Sequence, residues 1–353
     1  MIPYIVLFSL ICFLAVPFNY KKIKGYDRFF MFISIIILCL FSGLASSRGD
    51  YLSYKDIFNA PFDNSAVEKG FQILNYSVSF IGGGYHLLLI LVALIAISLK
   101  ILAFKELTPF LGLATIIYIG GFFPPADMGS IRFGVAMGFF LLSLKHIKKH
   151  QIWKFTLIIL LGCTFHGSLI ISFLLYFIYA RNLRVKHYII ILVISIISYF
   201  FFDIGKFISF TQGVVPNEYN VFIKALAYLD TKAILNFAII KRILILVLAT
   251  IYYKKLNKVS TYFKVVYNAY FLSIVTFLAF SLSFYLANRT SWLFASVEPV
   301  LLSYFIKLSE NNTIKSLIFI GIVVYSLLNM CYILITQTEP PFNLYLPYKL
   351  FFE

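Results

Sequence analysis

The sequence predicts an all-α, polytopic integral membrane protein with about twelve membrane segments. Of its 353 residues, 61% are hydrophobic and only 12% charged, and the mean hydropathy is +0.92. A soluble domain is about half apolar and about a quarter charged. Apolar stretches recur from one end of the chain to the other, and lipid leaves helices or closed barrels as the only ways to pair the backbone internally. Stretches of about 20 apolar residues select helices. The third observation is where the cations lie. The net charge of +16 sits in short segments flanking the apolar runs, which marks helix ends and excludes a nucleic-acid surface.

Membrane segments are expected at 3–20, 29–47, 72–99, 109–123, 131–147, 153–166, 168–180, 187–203, 233–253, 265–287, 291–307 and 314–335. The first, Ile2 to Phe18, has no basic region before it and reads as a retained helix with its N-terminus outside, not as a secretory signal. Inside loops then fall at 21–28, 100–108, 145–154, 181–187, 254–264 and 307–315, and they hold 19 of the 30 Lys and Arg against 9 outside. Residues 153–180 are read as two arms, each about 13 residues and so too short for a full span. A hairpin keeps Lys148, Lys149 and Lys154 on the same side as Arg181, Arg184 and Lys186, with its tip at His166 in the outer half of the membrane.

The chain is read as one transmembrane domain, 1–353, with outer-side loops 48–71, 120–132 and 203–233 and an outer tail, 336–353. The stretch Tyr219 to Lys232 is amphipathic and suits an interfacial helix. Cys12, Cys39, Cys163 and Cys331 lie within apolar segments and suit packing. No internal repeat and no G-x-x-x-x-G-K-[ST] motif occurs.

Ionisable groups at membrane depth are candidates for function. His166, in Thr164-Phe165-His166-Gly167-Ser168, can take a proton near neutral pH or merely cap a broken helix end. Arg132 opens a helix after Pro124-Pro125, where its planar fork suits a phosphate; snorkelling is the bland alternative. Arg48 and Asp50 begin the first outer loop, and Tyr51, Tyr54 and Asp127 offer sugar contacts. Glu68 and Asp50 are alternative bases, since a carboxylate in an apolar cavity gains basicity. Lys241 and Arg242 are adjacent and diverge by about 100° on a helix, so one faces inward; Arg242 is the better partner for a pyrophosphate. Arg289 is placed at the outer junction of two helices, beside Trp292. A converging set of Arg48, Arg132, Arg242 and Arg289 would suit a lipid-linked pyrophosphate.

The order Arg48-Gly-Asp50-Tyr51-x-x-Tyr54-x-x-x-Phe58, then Glu68-x-Gly70-Phe71-x-x-Leu74-Asn75, resembles the start of the EpsG-like branch of Wzy-type polysaccharide polymerases. Asp127-x-x-x-Ile131-Arg132-x-x-x-Ala136, Leu142-Ser143, Phe165-His166-x-Ser168 and Arg289-x-x-x-x-Phe294 with Pro299 continue the likeness in order. Phe133 stands where Gln is common, and Thr-Ser-Trp follows Arg289 in place of a Tyr-rich stretch. The resemblance implies a GT-C-like glycosyltransferase architecture in the bacterial cytoplasmic (inner) membrane with the active site facing the periplasm or outside. It implies an enzyme that joins undecaprenyl-pyrophosphate-linked oligosaccharide repeats into an O-antigen, capsule or exopolysaccharide. A flippase and a chain-length regulator are its implied partners, beside membrane lipids.

The expected chemistry is one inverting displacement. Arg132, Arg289 and Arg242 hold the donor pyrophosphate, and His166 takes the acceptor's proton. No cofactor or metal is expected, because arginines supply the neutralising charge and no carboxylate cluster offers a metal site. A flippase of lipid-linked sugars and a membrane O-acyltransferase are the competing readings. The first should show an internal repeat, and the second an acyl-CoA entrance among inner loops that are short here.

Overall fold

A computed structural model describes residues 1–16, 25–63, 67–181, 185–201, 232–336 and 344–352. The described residues are helical almost throughout, with no strand beyond a single antiparallel bridge between Ala45 and Leu350. They form two compact units. One comprises 1–170, 254–263 and 297–353, and the other 171–253 and 264–296.

Helices α1 (Ile2–Ala15) and α2 (Tyr26–Gly43) open the first unit, and α3 (Tyr51–Asn59) follows within the expected loop 48–71. The expected segment 72–99 is two helices, α4 (Lys69–Phe80) and α5 (Tyr85–Leu107). The break is chemical. Gly82 is left-handed at φ +75°, its N–H donates to the Ser79 carbonyl, and the Gly83 N–H donates to the Val78 carbonyl. That pair of bonds is a Schellman stop, which only glycine enters without strain.

Helix α5 also runs through the expected inner loop at 100–108, so Lys100 is a fully buried helical residue and not a loop cation. The expected outer loop 120–132 is likewise not open. Helix α6 (Leu111–Gly121) turns by 68° into π-helical turns at Phe123–Gly129, every residue of which is buried. Helix α7 (Ile131–Lys148) then runs beside α5. Gly138 allows this approach, since a Cβ there would lie 2.8 Å from the Leu99 Cβ.

Helix α8 (Ile152–Cys163) stops at Thr164-Phe165-His166, and a 3₁₀ stretch, Gly167–Ser172, leads into α9 (Phe173–Ala180). The second unit holds α10 (Val185–Phe201), α11 (Phe237–Ile251) and most of α13 (Phe263–Ala279), the last two joined through a single turn, α12 (Tyr253–Leu256). The expected 265–287 and 291–307 give way to a stop at Ala279 and a restart at Phe284, where the Ser283 hydroxyl caps the Leu286 N–H. Helix α14 (Phe284–Ala295) therefore carries Arg289 well inside a helix, not at a junction. Helices α15 (Glu298–Ser303) and α16 (Asn312–Thr336) complete the first unit. The stretch 219–231 and most of loop 203–233 lie outside the described residues.

Among the described residues, four helical stretches are long and apolar enough to cross a membrane: Tyr26–Gly43, Tyr85–Leu107, Phe284–Leu308 and Asn312–Thr336. The bent α6–π pair would make a fifth, while α1, α8, α10, α13 and the 167–180 arm are apolar but shorter. The fold is thus an all-helical membrane fold.

Candidate functional site

The N-terminus of α4 and the end of α8 are bound together by backbone. The Thr164 carbonyl accepts from the Gly70 N–H at 2.9 Å and the Phe71 N–H at 3.3 Å. Helix termini leave such donors and acceptors free, and here each end satisfies the other. Glu68, at the N-cap of α4, extends across this joint. One carboxylate oxygen accepts from the Gly167 N–H at 3.0 Å, and the other pairs with the Arg132 guanidinium. Arg132 lies over the rings of Tyr54 (5.8 Å) and Phe71 (5.9 Å), which orient its plane. The Glu68 and Arg132 side chains keep 22% exposure each, so the pair is shielded but reachable.

Arg132 is not saturated. Its Nε is buried and has no hydrogen-bond partner, a state that native structures rarely tolerate without a reason. Beside it, the His166 ring meets the edge of Phe133 at 5.1 Å. The His166 Nδ1 faces the Ser168 hydroxyl at 2.8 Å and the Ser168 N–H at 3.4 Å. An amide N–H can only donate, so Nδ1 is the accepting nitrogen, and the neutral ring carries its proton on Nε2. Gly167 is exposed, and a Cβ there would meet nothing within 4 Å. The structure therefore brings Glu68, Arg132, His166 and Ser168 to one place with open space beside it. Ser168 stands in the quoted motif, yet its orientation toward the imidazole needs the helix break that follows Cys163.

The other expected residues of the first unit have surroundings of their own. Arg48 is buried, with its guanidinium donating to the Ser42, Asp127 and Met128 carbonyls at 3.1, 3.0 and 3.2 Å. Asp127, expected among the sugar contacts, has its carboxylate buried between Lys100 (2.5 Å) and the Tyr118 hydroxyl (2.5 Å). Lys100 and Asp127 are expected in loops on opposite sides of the membrane, and the side chains meet because α5 continues and the π turns fold inward. Tyr54 is buried beneath Arg132. Tyr51 bonds His86 Nε2 at 3.1 Å, and Phe351 of the tail stacks on that imidazole at 4.1 Å. Burial pushes the Tyr51 phenol up, with Arg48 opposing, so it stays protonated. Asp50 is exposed and left-handed at φ +53°, a conformation that Asp tolerates.

In the second unit, Arg242 is buried and donates to the Ser291 hydroxyl at 2.5 Å, which donates onward to the Ser273 carbonyl. Its neighbour Lys241 is half-exposed. Arg289, half-exposed, covers the Tyr285 ring at 5.0 Å.

The far end of α7 is basic. Lys148 lies over the Tyr262 ring at 4.9 Å, and Lys255 donates to the Leu308 carbonyl. Burial and then the Glu106 hydrogen bond push the Tyr262 phenol up to about 12. Sixteen residues separate Arg132 from Lys148 on this helix, roughly 24 Å at 1.5 Å per residue.

The EpsG family model matches residues 28–350. No curated protein and no solved structure matches the chain.

Proposed function

The chain belongs to the EpsG family, the Wzy-like polysaccharide polymerases, and from that membership we propose that it joins undecaprenyl-pyrophosphate-linked oligosaccharide repeats into a surface polysaccharide. The observation that carries the reading is the Glu68–Arg132 pair beside His166. A partly exposed guanidinium with an unpartnered Nε is held in orientation by a carboxylate and two rings, and the same carboxylate bonds the backbone of an open glycine. That is the equipment for gripping a pyrophosphate at a membrane.

The proposed reaction is a single displacement. The acceptor sugar's hydroxyl oxygen attacks the anomeric carbon of the donor, the bond from that carbon to the pyrophosphate oxygen breaks, and the configuration inverts. Arg132 takes up the charge on the departing lipid pyrophosphate. The acceptor proton moves to the Ser168 hydroxyl as the Ser168 proton moves to His166 Nδ1, so His166 is the base and Ser168 its relay. Glu68 keeps Arg132 and the Gly167 backbone in register, and each of its oxygens already accepts a bond, which favours His166 over Glu68 as base. Asp50 and Tyr51 are the sugar contacts in this reading. Arg289, half-exposed in the second unit, is a further candidate for an anionic group, whereas Arg242 is occupied by Ser291.

The site lies at the opposite end of α7 from Lys145, Lys148 and Tyr262. Cations mark the cytoplasmic face, which supports an outward-facing site. The test is reconstitution. Purified protein with lipid-linked repeat units should give a ladder of longer lipid-linked glycans without nucleotide sugar. Passage of the intact substrate between leaflets with no ladder would make the chain a transporter instead.

A further inference from the structure

Building on the proposed role of Arg132, we infer that Lys100, Asp127 and Arg48 form a positioning device that sets where Arg132 stands, and that none of the three touches substrate. The π-helical turns at Phe123–Gly129 connect α6 to α7, and α7 begins one residue before Arg132. Three elements fasten those turns. Lys100 from α5 and Tyr118 from α6 hold the Asp127 carboxylate, each at 2.5 Å. Arg48 donates to the Asp127 and Met128 carbonyls and ties both to Ser42 on α2, whose own hydroxyl donates to the Asp127 carbonyl at 2.7 Å.

Stability alone does not account for this. A buried ion pair contributes little net, because desolvation of two charges offsets their attraction, and apolar residues of equal volume often serve better. What it supplies is direction and register. The register passes straight to Arg132. A Cβ on Gly134, two residues beyond Arg132, would lie 2.5 Å from the Ala126 carbonyl oxygen and 3.0 Å from Asp127 Oδ1. The first turn of α7 therefore rests on the π turns with no side chain between them, and a shift of Asp127 moves Arg132. Single π turns recur at functional sites for such reasons.

The experiment neutralises the pair with Lys100→Met/Asp127→Asn, which removes both of its charges together and leaves the net charge unchanged. Arg48→Lys serves as a second perturbation that keeps the buried charge and loses the fork. Turnover is measured with lipid-linked oligosaccharide extracted from a strain lacking this chain, in the wild-type and Arg132→Lys backgrounds. In the wild-type background each perturbation should lower kcat by about 10²-fold, with KM within about 2-fold. In the Arg132→Lys background the further loss should stay under about 3-fold, because the device acts through that residue. Equal losses in both backgrounds, undiminished turnover, or a raised KM with unchanged kcat would overturn the inference alone. Arg132→Lys as active as wild type would overturn the assignment of Arg132 itself, and the inference with it.

Discussion

Gly70 sits at the joint that brings Glu68 to His166, and replacing it tests whether that joint matters. A Cβ at Gly70 would stand 2.7 Å from the Thr164 Cβ and 2.8 Å from the Thr164 carbonyl oxygen, with Oγ1 closer still, where ordinary contact begins at 3.4 Å. Thr164 would have to retreat by about 0.7 Å. Its carbonyl cannot do so without lengthening the bonds from the Gly70 and Phe71 N–H groups. The clash is with backbone, so no rotamer relieves it. Over-packing of this kind costs about 1–3 kcal/mol, and a sub-ångström displacement of a catalytic group costs on the order of 10- to 100-fold in rate. Gly70→Ala should therefore remain in the membrane with a lowered thermal midpoint and lose 10- to 100-fold or so in ladder formation. Thr164→Ala in the same chain should not rescue it, because the Cβ and carbonyl oxygen stay. Gly321→Ala is the control, with nothing within 4 Å of its Cβ, and should behave as wild type. Wild-type turnover in Gly70→Ala would refute the coupling of α4 to the His166 break.

His166→Ala should lower turnover by about 10²–10⁴-fold, and Ser168→Ala should fall in the same direction by a smaller factor, both read in the ladder assay with expression intact; full activity of Ser168→Ala would remove the relay. Arg242→Ala leaves the Ser291 hydroxyl without its donor inside the second unit and should cost about 1–3 kcal/mol in stability, measured as thermal midpoint in detergent. A reporter tag after Arg184 should read from the cytoplasmic side if 153–180 is a hairpin, and an outside signal would invert the chain from that point.

Much of the fold was legible because the bilayer imposes a simple rule on composition. Apolar runs gave the helical membrane class, and the polar Thr164-Phe165-His166-Gly167-Ser168 marked the break between two short helices. Lys241 and Arg242 show what helical divergence alone can tell, since the two take different surroundings. The rest needed tertiary information. Gly82-Gly83-Gly84 was a visible stop signal, yet hydropathy averaged across it joined α4 to α5. Lys100 read as a loop cation because a buried lysine is rare until its partner is seen, and Asp127 lies 27 residues further along. Glu68 and Arg132 are 64 residues apart, and no local pattern announces their pairing. Arg48 read as a ligand contact, since sequence cannot show three carbonyls already gathered around it.

In the proposed reaction, glycosyl transfer between lipid-linked repeats runs through the Glu68–Arg132–His166 cluster. The most direct measurement compares wild type with Arg132→Ala, reconstituted at equal amounts with the same lipid-linked repeat units. Wild type should give a glycan ladder, and Arg132→Ala only the starting band. A ladder of equal length and yield from Arg132→Ala would contradict it.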